Sequence, residues 1–393
     1  MNQIAIKMLV GDLAKYFGIL LGIGFAALLI TQQSSIFTGL MSRTFAFVDD
    51  TSLPDLWVTD PEVQYLDELE PMQSTALDRV RGVPGVAWAV PMYKSLLRGR
   101  LPNGTFRSVI VVGLDDATLI GGPPKMIEGQ LGDLRRSDGV ILDEVSAKTR
   151  LNSWSAYDAD GKPAKDATRI PMKVGDVLQI NDRRAVVVGL CQVSRTFQSQ
   201  PVIYTTYSRA LSYAPPERKQ LSLILAKAVH GVDHGELAQR VTASTNLRAR
   251  TKAQMSWDTV MYYVKNTGIV INFGIAVLLG FLVGVAIAGQ TFYNFTLDNL
   301  RYFGALKAMG GSNWLLLRMV LLQALLAGVV GYGLGVGAAA LFGMRVQGTE
   351  LAFRMTWHIP AISAAAVALI CALSSIVSMI KVIRLEPAVV FRG

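Results

Sequence analysis

The chain has 393 residues, of which 51% are hydrophobic, and it carries a net charge of +9. In a soluble protein this excess would suggest a nucleic-acid partner. Residues 43–265, however, hold 28 Lys and Arg against 25 Asp and Glu, so most of the excess lies beside long apolar segments. The distribution excludes a nucleic-acid-binding groove and predicts an integral membrane protein in contact with lipids.

The first apolar segment covers residues 16–42 and contains no Asp, Glu, Lys or Arg. Roughly 20 apolar residues suffice for a helix to cross the hydrocarbon core. We therefore expect residues 1–42 to form an N-terminal segment followed by transmembrane helix 1. A cleavable signal peptide is the alternative, but the region before the apolar run is long and no small-residue cleavage pattern follows it. An uncleaved helix that continues beyond the membrane as a stalk is therefore preferred.

Residues 43–265 predict a mixed α/β domain, because short runs rich in Val, Ile and Leu alternate with segments of helical spacing. Two subdomains are expected, one around residues 83–113 with the C-terminal half of the domain and one around residues 139–226. The predicted strands are 108–113, 139–142, 176–180, 184–190, 202–205 and 221–226, and the predicted helices are 73–81, 144–151 and 235–244.

Three further charge-free stretches follow in the last third of the chain. They predict three more transmembrane helices, and the regions of this part are helix 2 at 266–295, a loop helix at 296–313, helix 3 at 314–344, an external loop at 345–357, helix 4 at 358–382 and a tail at 383–393.

Cations near the helix ends predict the orientation, since short loops rich in Lys and Arg stay in the cytoplasm. They place both termini in the cytoplasm and residues 43–265 on the outside of the membrane. These cations are Lys7, Lys15, Arg301, Lys307, Arg318, Lys381, Arg384 and Arg392.

Glycines in helices 2 and 3 recur at a spacing that lets two helices approach closely. Gly280 and Gly284 lie in helix 2, and Gly331 and Gly335 lie in helix 3. Packing within one subunit and packing at a dimer or moving interface are both open. No acidic or basic residue lies deep within a predicted span, so nothing indicates a proton relay or an ion path.

No catalytic, cofactor-binding or metal-binding residue is predicted, since the sequence lacks the phosphate-loop, nucleophile-elbow and zinc-protease motifs. Asp115 and Asp116 are interpreted as a loop or helix cap and not as an acid–base pair. A turn rich in His and acidic residues comes nearest to a metal site, but its glycines interrupt the helix that would align the imidazoles. Its residues are His230, Asp233, His234 and Glu236.

Residues 296–313 predict an amphipathic coupling helix with a glycine stop, followed by Ser312 as the N-cap of the next helix. A short helix at the inner membrane surface can be a lipid-surface element or a docking lever for a soluble partner. Sequence physics leaves these two alternatives open.

The sequence LKAMGGS at residues 306–312 resembles the LKAxGxS element of FtsX/MacB-type (type VII) ABC transporter permeases, which contacts the ATPase. The one-plus-three helix order and the motifs at 80–86, 173–177, 186–189 and 384–388 agree with it. The similarity spans essentially the whole chain and is closest in appearance to the DevC-like branch. Many members have Arg-Glu early in the coupling helix, whereas Arg301 precedes Tyr302 here.

The resemblance implies a location in the bacterial inner membrane, with residues 43–265 in the periplasm as a MacB-like periplasmic domain. It implies no directly bound cofactor, with ATP and Mg²⁺ on a separate ABC ATP-binding subunit. It also implies a second permease subunit in a homodimer, a membrane-fusion protein and an outer-membrane channel. ATP-driven motion would pass to the periplasmic domain by mechanotransmission and export a lipidic or small amphipathic substrate. An FtsX-like regulator of a cell-wall hydrolase and a lipoprotein-release permease are the alternatives. The residues expected to couple to the ATPase are Leu300, Arg301, Phe303, Leu306, Lys307, Met309 and Gly310.

Overall fold

The computed structural model describes residues 2–383 except 157, 159–163, 165, 217–219 and 348. The chain divides into two compact units, a helical unit of Met1–Leu40 with Thr267–Gly393 and a sheet unit of Met41–Asn266. The sheet unit is therefore inserted after the first long apolar helix, and its ends lie within two residues of the predicted 43–265. The motif at 384–388 and nearly all of the predicted tail lie outside the described residues.

The described residues form twelve α-helices, a 3₁₀ helix at Leu131–Arg135 and twelve strands. The helices are α1 Asn2–Gly11, α2 Leu13–Thr44, α3 Ala46–Asp50, α4 Thr75–Arg81, α5 Glu144–Thr149, α6 Tyr207–Tyr213, α7 His234–Thr245, α8 Lys252–Asn266, α9 Ile269–Asp298, α10 Leu300–Ala308, α11 Asn313–Val346 and α12 His358–Ile383. The strands are β1 Leu56–Thr59, β2 Val86–Arg100, β3 Phe106–Leu114, β4 Lys125–Glu128, β5 Gly139–Asp143, β6 Ser153–Trp154, β7 Arg169–Ile170, β8 Val177–Ile180, β9 Arg183–Gln192, β10 Val202–Thr206, β11 Leu223–Ala228 and β12 Arg248–Thr251.

Four helices of the helical unit, α2, α9, α11 and α12, are long and apolar enough to cross a membrane. The predicted arrangement of four spans with an α/β domain between the first two is thus confirmed. One apolar cluster joins all four helices, and α2 contributes Ile19, Ile23, Ala26 and Ala27 to it. The exposed faces carry large apolar side chains such as Leu278 on α9, as expected of helices that contact lipid.

The sheet unit contains a ten-stranded mixed sheet in the order β12-β1-β11-β2-β3-β10-β5-β9-β4, with β8 paired to both β2 and β9. The central strands β5 and β10 are buried along their whole length. The sequences of both strands are therefore continuous runs of apolar residues, without alternation of apolar and polar residues. Such runs are easily recognised in the sequence.

Strand β2 is 15 residues long and connects the two halves of this sheet. Its first half pairs with β11, from Val86 opposite Ala228 to Met92 opposite Leu223. Its second half pairs with β3, ending with Arg100 opposite Phe106. The predicted division into two subdomains is wrong in this respect, because β3 belongs with β5, β9 and β10, whereas β11 belongs with β1 and β12.

Candidate functional site

Helix α10 lies between α9 and α11, where the sequence predicts the coupling helix. The predicted range of 296–313 is wrong at its start, because residues 296–298 continue α9 and α10 begins at Leu300. Asn299 separates the two helices, and its side-chain amide donates to the carbonyl oxygen of Phe295 at 2.8 Å. The predicted helix stop and cap are confirmed: Gly310 has a φ of +94°, and the Ser312 hydroxyl accepts from the Leu315 N–H at 3.2 Å.

One face of α10 is an anchor that holds the helix to its own subunit. Phe303 is fully buried, and Leu300 and Leu306 pack against the same apolar cluster. The cluster also contains Leu316, Met319 and Val320 of α11 and Met379 of α12. Of these three predicted coupling residues, Phe303 therefore faces the interior of the helical unit, and Leu300 and Leu306 are half-buried beside it.

The opposite face of α10 and the turn after it form an exposed surface, which we call the α10 surface and define by Arg301, Tyr302, Met309 and Trp314. Tyr302, Met309 and Trp314 are 64%, 76% and 72% exposed, and Arg301 is exposed beside them. Tyr302 and Trp314 are not among the predicted coupling residues, although the i, i+3 spacing of Phe303 and Leu306 indicates which face of α10 is apolar. Of the other predicted residues, Lys307 is half-buried and Gly310 is exposed.

An ion pair joins the first and second membrane helices close to α10. The Lys15 ammonium on α2 contacts Asp298, the last residue of α9, and also Asp12 at 2.6 Å. Helix α1 reaches the same region, since Met8 packs against the cluster that anchors α10. Helix α10 is thus packed against α11 and α12, and α9, which leads into α10, is tied to α2.

The four predicted packing glycines all face α2. A Cβ atom at Gly335 would overlap the carbonyl oxygen of Gly24 and lie 2.7 Å from the Ala27 Cβ. At Gly284 it would lie 2.5 Å from the Ala26 Cβ, and at Gly331 3.0 Å from the Ile23 Cβ. At Gly280 it would lie 3.1 Å from the Cβ of Leu29. For these four positions, the structure therefore supports packing within one subunit and not packing at a dimer or moving interface.

In the sheet unit, a buried ion pair joins β2 to the loop before α4, and helix α8 is hydrogen-bonded to the carboxylate of that pair. The Lys94 ammonium on β2 donates to Asp67 at 2.8 Å, and both side chains are less than 10% exposed. The Tyr263 hydroxyl on α8 also donates to Asp67, at 3.2 Å. Beside them the ring of Tyr65 stacks on Tyr262 with centroids 3.9 Å apart. Since α8 precedes α9 by two residues in the chain, this contact fixes the element that leads into the second membrane helix.

Replacing Lys94 by methionine is expected to loosen α8 from the sheet, because the Asp67 carboxylate would stay buried without its cation. Breaking one side of a buried pair costs about 3–5 kcal/mol. Hydrogen–deuterium exchange of segments 86–100 and 252–266 in the full chain should show protection lost in the Lys94→Met variant. The double variant Lys94→Met/Asp67→Asn removes the buried charge but keeps an acceptor for the Tyr263 hydroxyl, so it should regain most of the protection. Equal losses in the two variants would contradict this role for the pair.

The remaining candidate sites have local structural roles. Asp233 caps α7 by accepting from the Glu236 N–H at 2.9 Å, and Asp116 accepts from the Ser208 hydroxyl at 2.6 Å. Asp115 accepts from the Thr118 hydroxyl at 2.8 Å. No group of three or more His, Cys, Asp or Glu side chains that could hold a metal ion occurs among the described residues. Burial, followed by the charge of Asp143, raises the pKa of the Cys191 thiol far above its usual range, so this thiol is protonated and unreactive.

Two family models match the chain and together cover most of it. The model of the MacB-like periplasmic core domain matches residues 17–244, and the model of the FtsX-like permease C-terminal region matches residues 274–387. No curated protein matches the chain at a significant level.

Two solved structures are similar to part of the chain. The periplasmic region of MacB from Actinobacillus actinomycetemcomitans is 15% identical, covers 56% of this chain and 96% of its own, and has a TM-score of 0.35. The extracellular domain of the noncanonic ABC-type transporter YknZ from Gram-positive bacteria is 9% identical, covers 50% of this chain and 98% of its own, and has a TM-score of 0.32.

Proposed function

Because the chain belongs to the family of FtsX/MacB-type ABC transporter permeases, we propose that it couples ATP hydrolysis on a separate ATP-binding subunit to motion of its extracytoplasmic domain. ATP and Mg²⁺ bind to that partner and not to this chain. Two copies of the permease and two ATP-binding subunits form the complex. A membrane-fusion protein and an outer-membrane channel receive the substrate, as the DevC-like appearance of the sequence implies.

The α10 surface is the observation that carries this proposal. An exposed aromatic and thioether surface on a short helix is suited to insertion into a cleft of a soluble partner, since aromatic residues, Met and Arg are enriched at protein interfaces. The buried contacts of Phe303 join α10 to α11 and α12, so a force on α10 passes to these two helices. Of the two alternatives that the sequence leaves open, a docking lever fits this arrangement better than a lipid-surface element.

Mechanotransmission agrees with the character of the membrane helices. The charge-free stretches offer no hydrophilic path for a solute, so the substrate is handled outside the inner membrane. A lipidic or small amphipathic substrate fits this route. The Lys15–Asp298 pair and the glycine contacts of α2 provide a continuous packed path along which motion of α10 reaches both helices that lead into the sheet unit.

Purification of the tagged permease from native membranes tests the proposal. An ABC ATP-binding subunit should accompany it and should hydrolyse ATP faster with the permease than alone. A fusion protein in the same complex supports export, whereas a cell-wall hydrolase in its place would replace export by regulation of that enzyme. Recovery of the intact permease without any ATP-binding protein, even after cross-linking in membranes, would contradict the proposal.

A further inference from the structure

A cationic cleft of about 650 Å³ lies in the sheet unit. Three arginines line it, Arg98 and Arg100 from β2 and Arg183 from the start of β9, against a single aspartate, Asp182. All three arginines are exposed, and within the described part of the chain none of them forms an ion pair with a carboxylate. Unpaired guanidinium groups that line a cleft are suited to bind carboxylates or phosphates.

The cleft is built rigidly by two hairpins. Asn181 and Asp182 have φ values of 46° and 61°, which is the tight turn that joins β8 to β9 and places Arg183 at the rim. The Asn181 N–H donates to the carbonyl oxygen of Arg98 at 2.9 Å, and the Asn181 amide donates to that of Tyr213 at 2.8 Å. The backbone around the arginines is therefore held in place before any ligand arrives.

An exposed aromatic ring orders two of the guanidinium groups. Phe106 of β3 is 44% exposed, the Arg98 guanidinium lies 3.6 Å from its ring centroid, and that of Arg100 lies 5.7 Å away. Stacking on a ring face leaves the N–H groups of a guanidinium free for an anion. Pro215 and Pro216 add apolar surface at the opposite wall.

We infer that this cleft binds an extended acidic segment of a partner protein on the same side of the membrane. Arg98 and Arg100 are two residues apart on one strand, so their side chains share a face and are spaced by about 7 Å. Acidic side chains at alternate positions of an extended peptide have the same spacing, whereas a single phosphate group does not. The inference stands on the cleft alone and is independent of the ATP-binding partner.

Fluorescence anisotropy with the full-length permease in a neutral detergent tests the inference. The probe is a labelled peptide in which Asp alternates with Leu, and the controls are the same peptide with Asn for Asp and an isomer in which the Asp residues are consecutive. The alternating acidic peptide should bind most tightly, and added salt should weaken its binding. The Arg98→Gln/Arg100→Gln variant should lose at least about tenfold in affinity, as expected for two charge-assisted contacts.

Arg107 provides the matched control variant. Arg107 is exposed on the same hairpin next to Phe106. Its backbone lies opposite Gly99 in the register of β2 and β3, so its side chain belongs to the face of the sheet opposite to that of Arg98 and Arg100. Arg107→Gln should bind the peptide like the unmodified protein. Equal losses in the Arg107 and Arg98/Arg100 variants, or equal binding of all three peptides, would overturn the inference. Displacement of the peptide by inorganic phosphate or by short-chain phosphatidylglycerol as effectively as by unlabelled peptide would also overturn it, in favour of a free or lipid phosphate.

Discussion

Replacing Met309 by aspartate is expected to lower the permease-stimulated ATPase activity at least about tenfold while leaving the permease folded. Met309 is the most exposed of the three large apolar side chains of the α10 surface, so the substitution leaves the interior of the subunit unchanged. In the complex, however, a carboxylate would be buried against the partner without a cation, and desolvating an unpaired charge costs several kcal/mol. The measurement is ATP hydrolysis by the ATP-binding subunit with and without each permease variant.

Two further variants give this experiment its controls. Gln347→Asp adds the same charge just after the other end of α11, about 50 Å away along a 34-residue helix, and should keep full stimulation. Phe303→Ala removes the buried anchor and should cost about 3–5 kcal/mol of stability. Phe303→Ala should reduce the yield of folded permease, whereas Met309→Asp should not. The yield therefore distinguishes loss of the buried anchor from loss of the contact with the ATP-binding subunit. Full stimulation by Met309→Asp would mean that the ATPase binds elsewhere.

Replacing Gly335 by leucine is expected to abolish the folded permease. A Cβ atom at this position overlaps the Gly24 carbonyl oxygen, and backbone atoms cannot be relieved by a change of rotamer. The helices α2 and α11 would have to separate. Overpacking of a close contact typically costs about 1–3 kcal/mol, and a whole leucine at a helix crossing should exceed that range. The yield of monodisperse protein after size-exclusion chromatography and its Tm are the measurements.

Gly333 supplies the matched control for this substitution. It lies two residues away on the exposed face of α11, and nothing lies within 4 Å of a Cβ atom built there. Gly333→Leu should therefore keep the yield and the Tm of the unmodified protein, because an apolar leucine side chain is favourable on a face that contacts lipid. If both leucine variants fold alike, the close contact between α2 and α11 is not what holds the helical unit together.

The sequence was sufficient to predict the elements with the strongest hydropathy signal. The four spans carry no charge over 26 residues or more, and β5 and β10 are buried runs of apolar residues. Strand β2 was missed because Pro91 and Lys94 interrupt its pattern. Its register shows how they are accommodated, since Pro91 still pairs with Ile224, and Lys94 is neutralised by Asp67 from a loop distant in the sequence.

The α10 surface was harder to predict, because residue type alone does not distinguish the buried face of α10 from its exposed face. Phe303 and Tyr302 are adjacent aromatic residues, yet one is fully buried and the other is 64% exposed. The orientation of α10 is set by Leu316 and Met379, which come from helices later in the chain. The same reason applies to the glycines, since spacing predicted a close contact at Gly331 and Gly335 but could not name α2 as the partner.

A distance measurement between two permease copies tests the transmission of motion most directly. Ser137 is exposed in the sheet unit, and both cysteines are buried, so a spin label on Ser137→Cys in a Cys191→Ala/Cys371→Ala background reports one position in each copy. In the complex with the ATP-binding subunit, the distance distribution should shift between the nucleotide-free state and the state trapped with ATP. Identical distributions in both states, with ATPase activity intact, would contradict the account.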